Sequence, residues 1–224
     1  MLAKRGFSPH QKRVNFALMG IKHYFLNDED KRAKFIFNLI APFYHLIDKG
    51  TEKDFEMMAQ LLNGYYPLEG KSVLDVGCGT GSWIKTLSKY NLKYAAGADF
   101  SEKMVSVAKK RLENIDCFVQ NGQNLSMFED KSFDMVTATF VLHGMKSNKR
   151  AIVINEMKRV ARETVVIHDF YNNRQFAVRL LESLERSDFK NFQKNFKNEM
   201  AILFENFEIL RGQNDNALYI GKIS

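Results

Sequence analysis

Cysteine is scarce in this chain. Cys78 and Cys117 are the only two among 224 residues, too few for a disulfide framework or a four-thiolate metal site. Long apolar runs are missing as well, and no stretch approaches the length needed to span a bilayer. The basic segment Met1 to Arg13 is not followed by the continuous apolar stretch of a signal peptide, so the expected compartment is the cytoplasm. There is no internal repeat and no low-complexity linker. What remains is ordinary globular composition, 45% hydrophobic and 26% charged, which points to neither a disordered nor a membrane chain. The net charge of +7 is spread over separate segments, Lys109 to Arg111, Lys146 to Arg150 and Lys190 to Lys197. Such dispersal describes a solvated surface rather than a nucleic-acid face, and we expect no nucleic-acid partner.

The length fits one α/β core with an N-terminal addition, divided as a helical cap over 1–66 and a single compact domain over 67–224. Before the first strand, Phe35, Phe37, Leu39, Ile40, Phe43, Leu46 and Ile47 form a dense apolar helical face that Pro42 divides. A second helix is expected from about Thr51 to Asn63–Gly64. From Lys71 the pattern alternates regularly, with strands near 72–76, 94–98, 115–119, 133–139 and 164–169 and helices near 81–90, 101–113 and 147–161. Ser101 is placed as an N-cap. Ala201–Leu210 and Ala217–Ile223, flanking a turn-rich segment, read as an antiparallel strand pair.

The chain turns on Val73-Leu74-Asp75-Val76-Gly77-Cys78-Gly79-Thr80-Gly81, an apolar strand that breaks into a loop with glycine at alternate positions. Gly77, Gly79 and Gly81 let the backbone take positive φ and lie against a ligand, and the helix that follows presents unpaired N–H groups to an anionic moiety. Cys78 reads as a small residue that fits the loop. A second small-residue strand, Tyr94 to Ala98, ends in Asp99 about 20 residues past the glycine turn, where a carboxylate can accept hydrogen bonds from a ribose diol. A nicotinamide-binding fingerprint spaces its glycines G-x-G-x-x-G; here the third comes one residue earlier.

Val73–Gly81 with Asp99, Ser101-Glu102-Lys103-Met104, Ser132-Phe133-Asp134 and Phe140-Val141-Leu142-His143 strongly resemble the class I S-adenosylmethionine-dependent methyltransferases, most closely the quinone-biosynthesis branch, over roughly Ile36 to Phe170. The resemblance implies a Rossmann-like, mostly parallel seven-stranded sheet flanked by helices. It implies S-adenosylmethionine as cofactor and a small-molecule methyl acceptor. Asp75 and Gly77 to Gly81, including Cys78 and Thr80, would surround the methionine part, Asp99 would hold the ribose, and Phe100 and Met104 would lie beside adenine. Asn121, with Gly122 and Gln123, stands where the family commonly has an acid for the adenine amino group, and its amide oxygen can still accept that bond. Thr139 is expected to touch the cofactor, and Tyr44, in Ile40 to Asp48, to contact cofactor or acceptor. His143 is the foremost candidate base, with His168-Asp169 behind it, while Asp134 reads as a turn-fixing carboxylate. The family's Pro-Gly-Gly turn before the fifth strand is missing, so Val160 to Thr164 should connect directly. Two alternatives share the fold: an RNA methyltransferase, whose usual Asn/Asp-Pro-Pro-Tyr/Phe element is absent, and a non-catalytic partner subunit. Neither the acceptor nor the oligomeric state is named by the sequence.

Overall fold

The computed structural model describes residues 29–41, 44–171 and 188–223, and the side chains of all these except 29, 30, 40 and 44–50. Two helices lead, α1 (Glu29–Ile40) and α2 (Tyr44–Tyr65). An alternating series follows: β1 (Ser72–Val76), α3 (Ser82–Ser88), β2 (Tyr94–Asp99), α4 (Glu102–Arg111), β3 (Asp116–Val119), β4 (Phe133–Thr139), α5 (Ser147–Val160) and β5 (Ala161–Phe170). The chain closes with α6 (Phe189–Leu203), β6 (Phe207–Arg211) and β7 (Asn216–Lys222). The seven strands lie in the order β3-β2-β1-β4-β5-β7-β6, with β7 antiparallel to both of its neighbours and the remaining pairs parallel.

Buried at all five positions, β1 carries apolar side chains at Val73, Leu74 and Val76, as suits a central parallel strand. Its alternate side chains feed two cores. Val73 joins Met58, Leu62, Trp83, Ile84 and Leu87 beneath α2 and α3. Leu74 and Val76 join Val153, Met157, Phe192 and Phe196 beneath α5 and α6. Helix α2 thus contributes to the same core as the sheet.

Most expected elements are present, with informative shifts. Helix α2 starts at Tyr44, earlier than the expected Thr51, and runs through Gly64 to Tyr65. Ala201 to Leu203, expected as strand, complete α6. The four-residue apolar run Ala-Ile-Leu-Phe suits either state, and the helical spacing of Phe189, Phe192, Phe196 and Met200, all buried, settles it. Helix α5 passes into β5 with no residue between Val160 and Ala161, the direct connection that the sequence implied. Asp134 fixes the opposite end of the sheet from the glycine loop, accepting bonds from Ser72 N (2.8 Å) and Ser72 Oγ (2.7 Å).

Pro42, which was expected to divide the leading helix, lies outside the described residues. One feature had no sequence signal. Arg150 is fully buried and donates through Nε (2.7 Å) and Nη2 (2.6 Å) to Glu199 and through Nη1 (3.2 Å) to Asp188. That fork ties α5 to α6 beside the cavity that Asp188 helps to line.

Candidate functional site

Where β1 ends, Gly77 N (2.7 Å) and Cys78 N (3.1 Å) both donate to the carbonyl of Ala98 on β2, which folds the loop over the neighbouring strand end. Gly77 (φ 74°), Gly79 (φ 54°) and Gly81 (φ 86°) are all left-handed. A Cβ on Gly77 would stand 2.5 Å from Val141 Cγ2, and one on Gly81 2.4 Å from Leu112 Cδ1. At Gly79, by contrast, a Cβ would meet nothing within 4 Å, because this residue faces a cavity of about 260 Å³.

Asp99 joins the loop to that cavity. Oδ2 accepts from Gly79 N (2.9 Å) and Oδ1 from Ser101 N (2.8 Å), so each oxygen is fixed by one backbone N–H and keeps acceptor capacity for a ligand. Burial pushes its carboxyl above the usual range, opposed by those two bonds. The cavity lies at the carboxyl ends of the parallel strands, as expected for an open α/β sheet. Phe100 and Met104 form one wall, Asn121, Gly122 and Gln123 another. Asn121 Oδ1 accepts from Gln123 N (3.0 Å), an Asx turn that shapes this wall while leaving one lone pair over. Thr139 lines the cavity with its Oγ1 buried and without a partner among the described residues, the kind of orphan that a bound polar group satisfies. The features fit S-adenosylmethionine: an open glycine cradle, an acceptor carboxylate, an apolar slot and an unsatisfied hydroxyl.

Other expected site residues sit behind the cavity wall. Cys78 directs its sulfur toward Gly97, where a Cβ would lie 2.7 Å away. Thr80 Oγ1 accepts from Arg111 Nη1 (2.8 Å), fastening the loop to α4. Gly81 caps α3. None of these three, nor Asp75, lines the cavity among the described residues. The side chain of Tyr44 lies outside the described residues.

Asp75 is 1% exposed and accepts from Thr137 Oγ1 (2.9 Å). Burial pushes its carboxyl up to about 8, so at neutral pH it is an uncharged acid. As pH rises from 3.8 to about 8, the unfolded chain releases this proton while the folded chain keeps it, and stability falls across that window. Asp75→Asn should remove the penalty. Urea unfolding should find the variant more stable by on the order of 2 kcal/mol at pH 7, with the gap closing toward pH 4.

Beyond β4, Leu142 to Gly144 form one turn of 3-10 helix. Asp169, fully buried at the end of β5, holds this turn, accepting from Leu142 N (3.1 Å), His143 N (3.2 Å) and His143 Nδ1 (2.7 Å). With Asp169 on Nδ1–H, the lone pair of a neutral ring lies on Nε2. His143 lines the cavity, and Phe170 (4.9 Å) and Phe189 (6.0 Å) pack edge-on against its ring. Phe140, another lining residue, holds φ 51°, a strained conformation stabilised by its N–H bond to the His168 carbonyl (2.9 Å). His168 itself is no base for this cavity. It is fully buried between Trp83 (5.0 Å) and Phe140 (4.8 Å), and burial lowers its ring to about 4, so it is neutral.

The roof comes from α1, within the segment read from the sequence as a helical cap. Arg32, Ala33, Ile36 and Phe37 of α1 line the cavity, and Phe37 meets Phe100 edge-on at 5.9 Å. The apolar face of this segment was legible; the residues it sets at the cavity were not. Nor was the rim of Lys146, Lys149 and Asp188 foreseen as site.

Sheet order, glycine loop and paired acid are similar to what the resemblance to class I S-adenosylmethionine-dependent methyltransferases implied. Residues 73–164 match the family described as a methyltransferase domain. A demethylmenaquinone methyltransferase from Halalkalibacterium halodurans is 37% identical over 100 residues, 42% of this chain and 40% of that protein. The chain thus matches about two fifths of the length of its curated relatives. Among solved structures, magnesium protoporphyrin IX methyltransferase from Synechocystis with bound S-adenosylmethionine aligns over 99% of this chain and 100% of that one, with TM-score 0.57 and 16% identity. A methyltransferase from Aquifex aeolicus aligns over 82% and 98%, with TM-score 0.59 and 18% identity. Among the described residues no helix is long and apolar enough to cross a membrane.

Proposed function

We propose that the chain binds S-adenosylmethionine in this cavity and transfers its methyl group to a small hydroxylated aromatic acceptor. The observation that carries the reading is the Asp99 carboxylate, fixed by Gly79 N–H and Ser101 N–H at the wall of this cavity. Relatives that act on demethylmenaquinone support the aromatic acceptor. When bound, the cofactor supplies an electrophilic methyl on a sulfonium. The protein's part is to orient and to exclude water, and orientation alone can be worth several kcal/mol. Gly77 and Gly79 border the methionine part, Asp99 holds the ribose, Phe100 and Met104 flank the adenine ring, and Thr139 Oγ1 takes a polar contact. Helix α1 roofs the space. His143 faces the acceptor with its imidazole oriented by Asp169, placed to take the hydroxyl proton at Nε2 as the oxygen or adjacent carbon becomes nucleophilic.

Release of S-adenosylhomocysteine on incubation with a panel of naphthoquinols, catechols and transfer RNA tests this. Acceptor-dependent release with a quinol or catechol is expected. Release with RNA alone would replace the acceptor class, and release with none would favour the non-catalytic subunit.

A further inference from the structure

Asp99 does not hold itself in place. Ser101 is fully buried, and its hydroxyl has two duties: Oγ accepts from Met104 N (3.1 Å) to cap α4, and its single hydrogen goes to Asn38 Oδ1 on α1 (2.7 Å). The same residue's backbone N–H fixes Asp99 Oδ1, and Asp99 Oδ2 fixes Gly79. A continuous relay therefore runs from the roof helix to the glycine loop: Asn38, Ser101, Asp99, Gly79. Two contacts clamp α1 in the same register, Lys34 to Glu102 (3.3 Å) and the Phe37–Phe100 ring pair. Asparagine is a poor residue for a helix. Its use at position 38 makes sense as an acceptor for the Ser101 hydroxyl.

Resting on the cofactor reading above, we propose that Asn38 is a positioning residue for cofactor binding, acting through Ser101 on the carboxylate that receives the ribose. The physical reason lies in the hydroxyl hydrogen. With Asn38 taking it, Asp99 has only backbone donors among the described residues, and its remaining acceptor capacity is kept for ligand hydroxyls. Without Asn38 that hydrogen must find another acceptor, and Asp99 is the carboxylate two residues away. Docking of α1 and gripping of the ribose are thereby coupled, since each favours the same setting of Ser101.

Asn38→Ala should weaken S-adenosylhomocysteine binding about five- to tenfold by titration calorimetry, the size of one lost hydrogen bond, and raise the cofactor KM by a similar factor while kcat stays within about twofold. Asn38→Asp keeps an acceptor oxygen and should restore affinity to near that of the wild type. If Asn38→Ala binds as tightly as the wild type, or if Asn38→Asp is as weak as Asn38→Ala, the relay is wrong and Asn38 merely packs. A wild-type chain that binds no S-adenosylhomocysteine would overturn both this inference and the cofactor reading.

Discussion

Asp99→Ala should abolish measurable cofactor binding, with S-adenosylhomocysteine affinity falling at least about 100-fold in titration calorimetry. Two effects add. A hydrogen bond to a charged acceptor is worth about 1.5–3 kcal/mol, and a ribose diol offers two. The same carboxylate accepts from Gly79 N (2.9 Å) and Ser101 N (2.8 Å), so its removal also releases the glycine loop. Asp99→Asn separates the two effects. The amide retains one acceptor oxygen but turns an NH₂ toward a backbone N–H, and it should bind better than alanine yet well below wild type. Circular dichroism should show both variants folded, because the residue sits at the end of β2 and not within either core cluster.

His143→Ala is expected to show the opposite profile. Its backbone N–H stays with Asp169, the cofactor wall is untouched, and S-adenosylhomocysteine should bind with wild-type affinity. Turnover of a hydroxylated acceptor should fall by about 10²–10⁴, the usual contribution of a positioned general base. The loss should be far smaller for an acceptor that is already ionised, such as a thiolate, because no proton then needs removing. Equal losses for both acceptors would make His143 a wall of the pocket rather than a base.

Together the two variants divide the cavity between cofactor grip and proton removal. In the proposed reading the adenosyl side lies at the ends of β1, β2 and β3, with Thr139 of β4 beside it, and the acceptor side lies past the ends of β4 and β5.

Local order explains which parts of this were readable in the sequence. The glycine loop, the strand that leads to it and Ser101 as a cap depend on residues within a few positions of one another, so their pattern survives in one dimension. Asp99 was recognisable because one helix sets its separation from the loop. The His143–Asp169 pair is different. Each residue could be named alone, but their contact arises because β4 and β5 are paired with Thr139 opposite His168, a register fixed by the whole sheet. Asn38 and Arg32 are harder still: they reach the site from a helix whose docking against α4 no local rule specifies. Residues 201–203 went astray for the converse reason, since a short apolar run carries no period, and only the phenylalanines upstream show the helix.

The most direct measurement is a crystal structure of the complex with S-adenosylhomocysteine. The ribose hydroxyl oxygens should lie about 2.6 Å from the Asp99 carboxylate, with adenine between Met104 and the Asn121 wall and the sulfur open toward His143. Adenosine bound elsewhere, or bound here with Asp99 making no contact to it, would contradict the assignment of this cavity as a methyltransferase site.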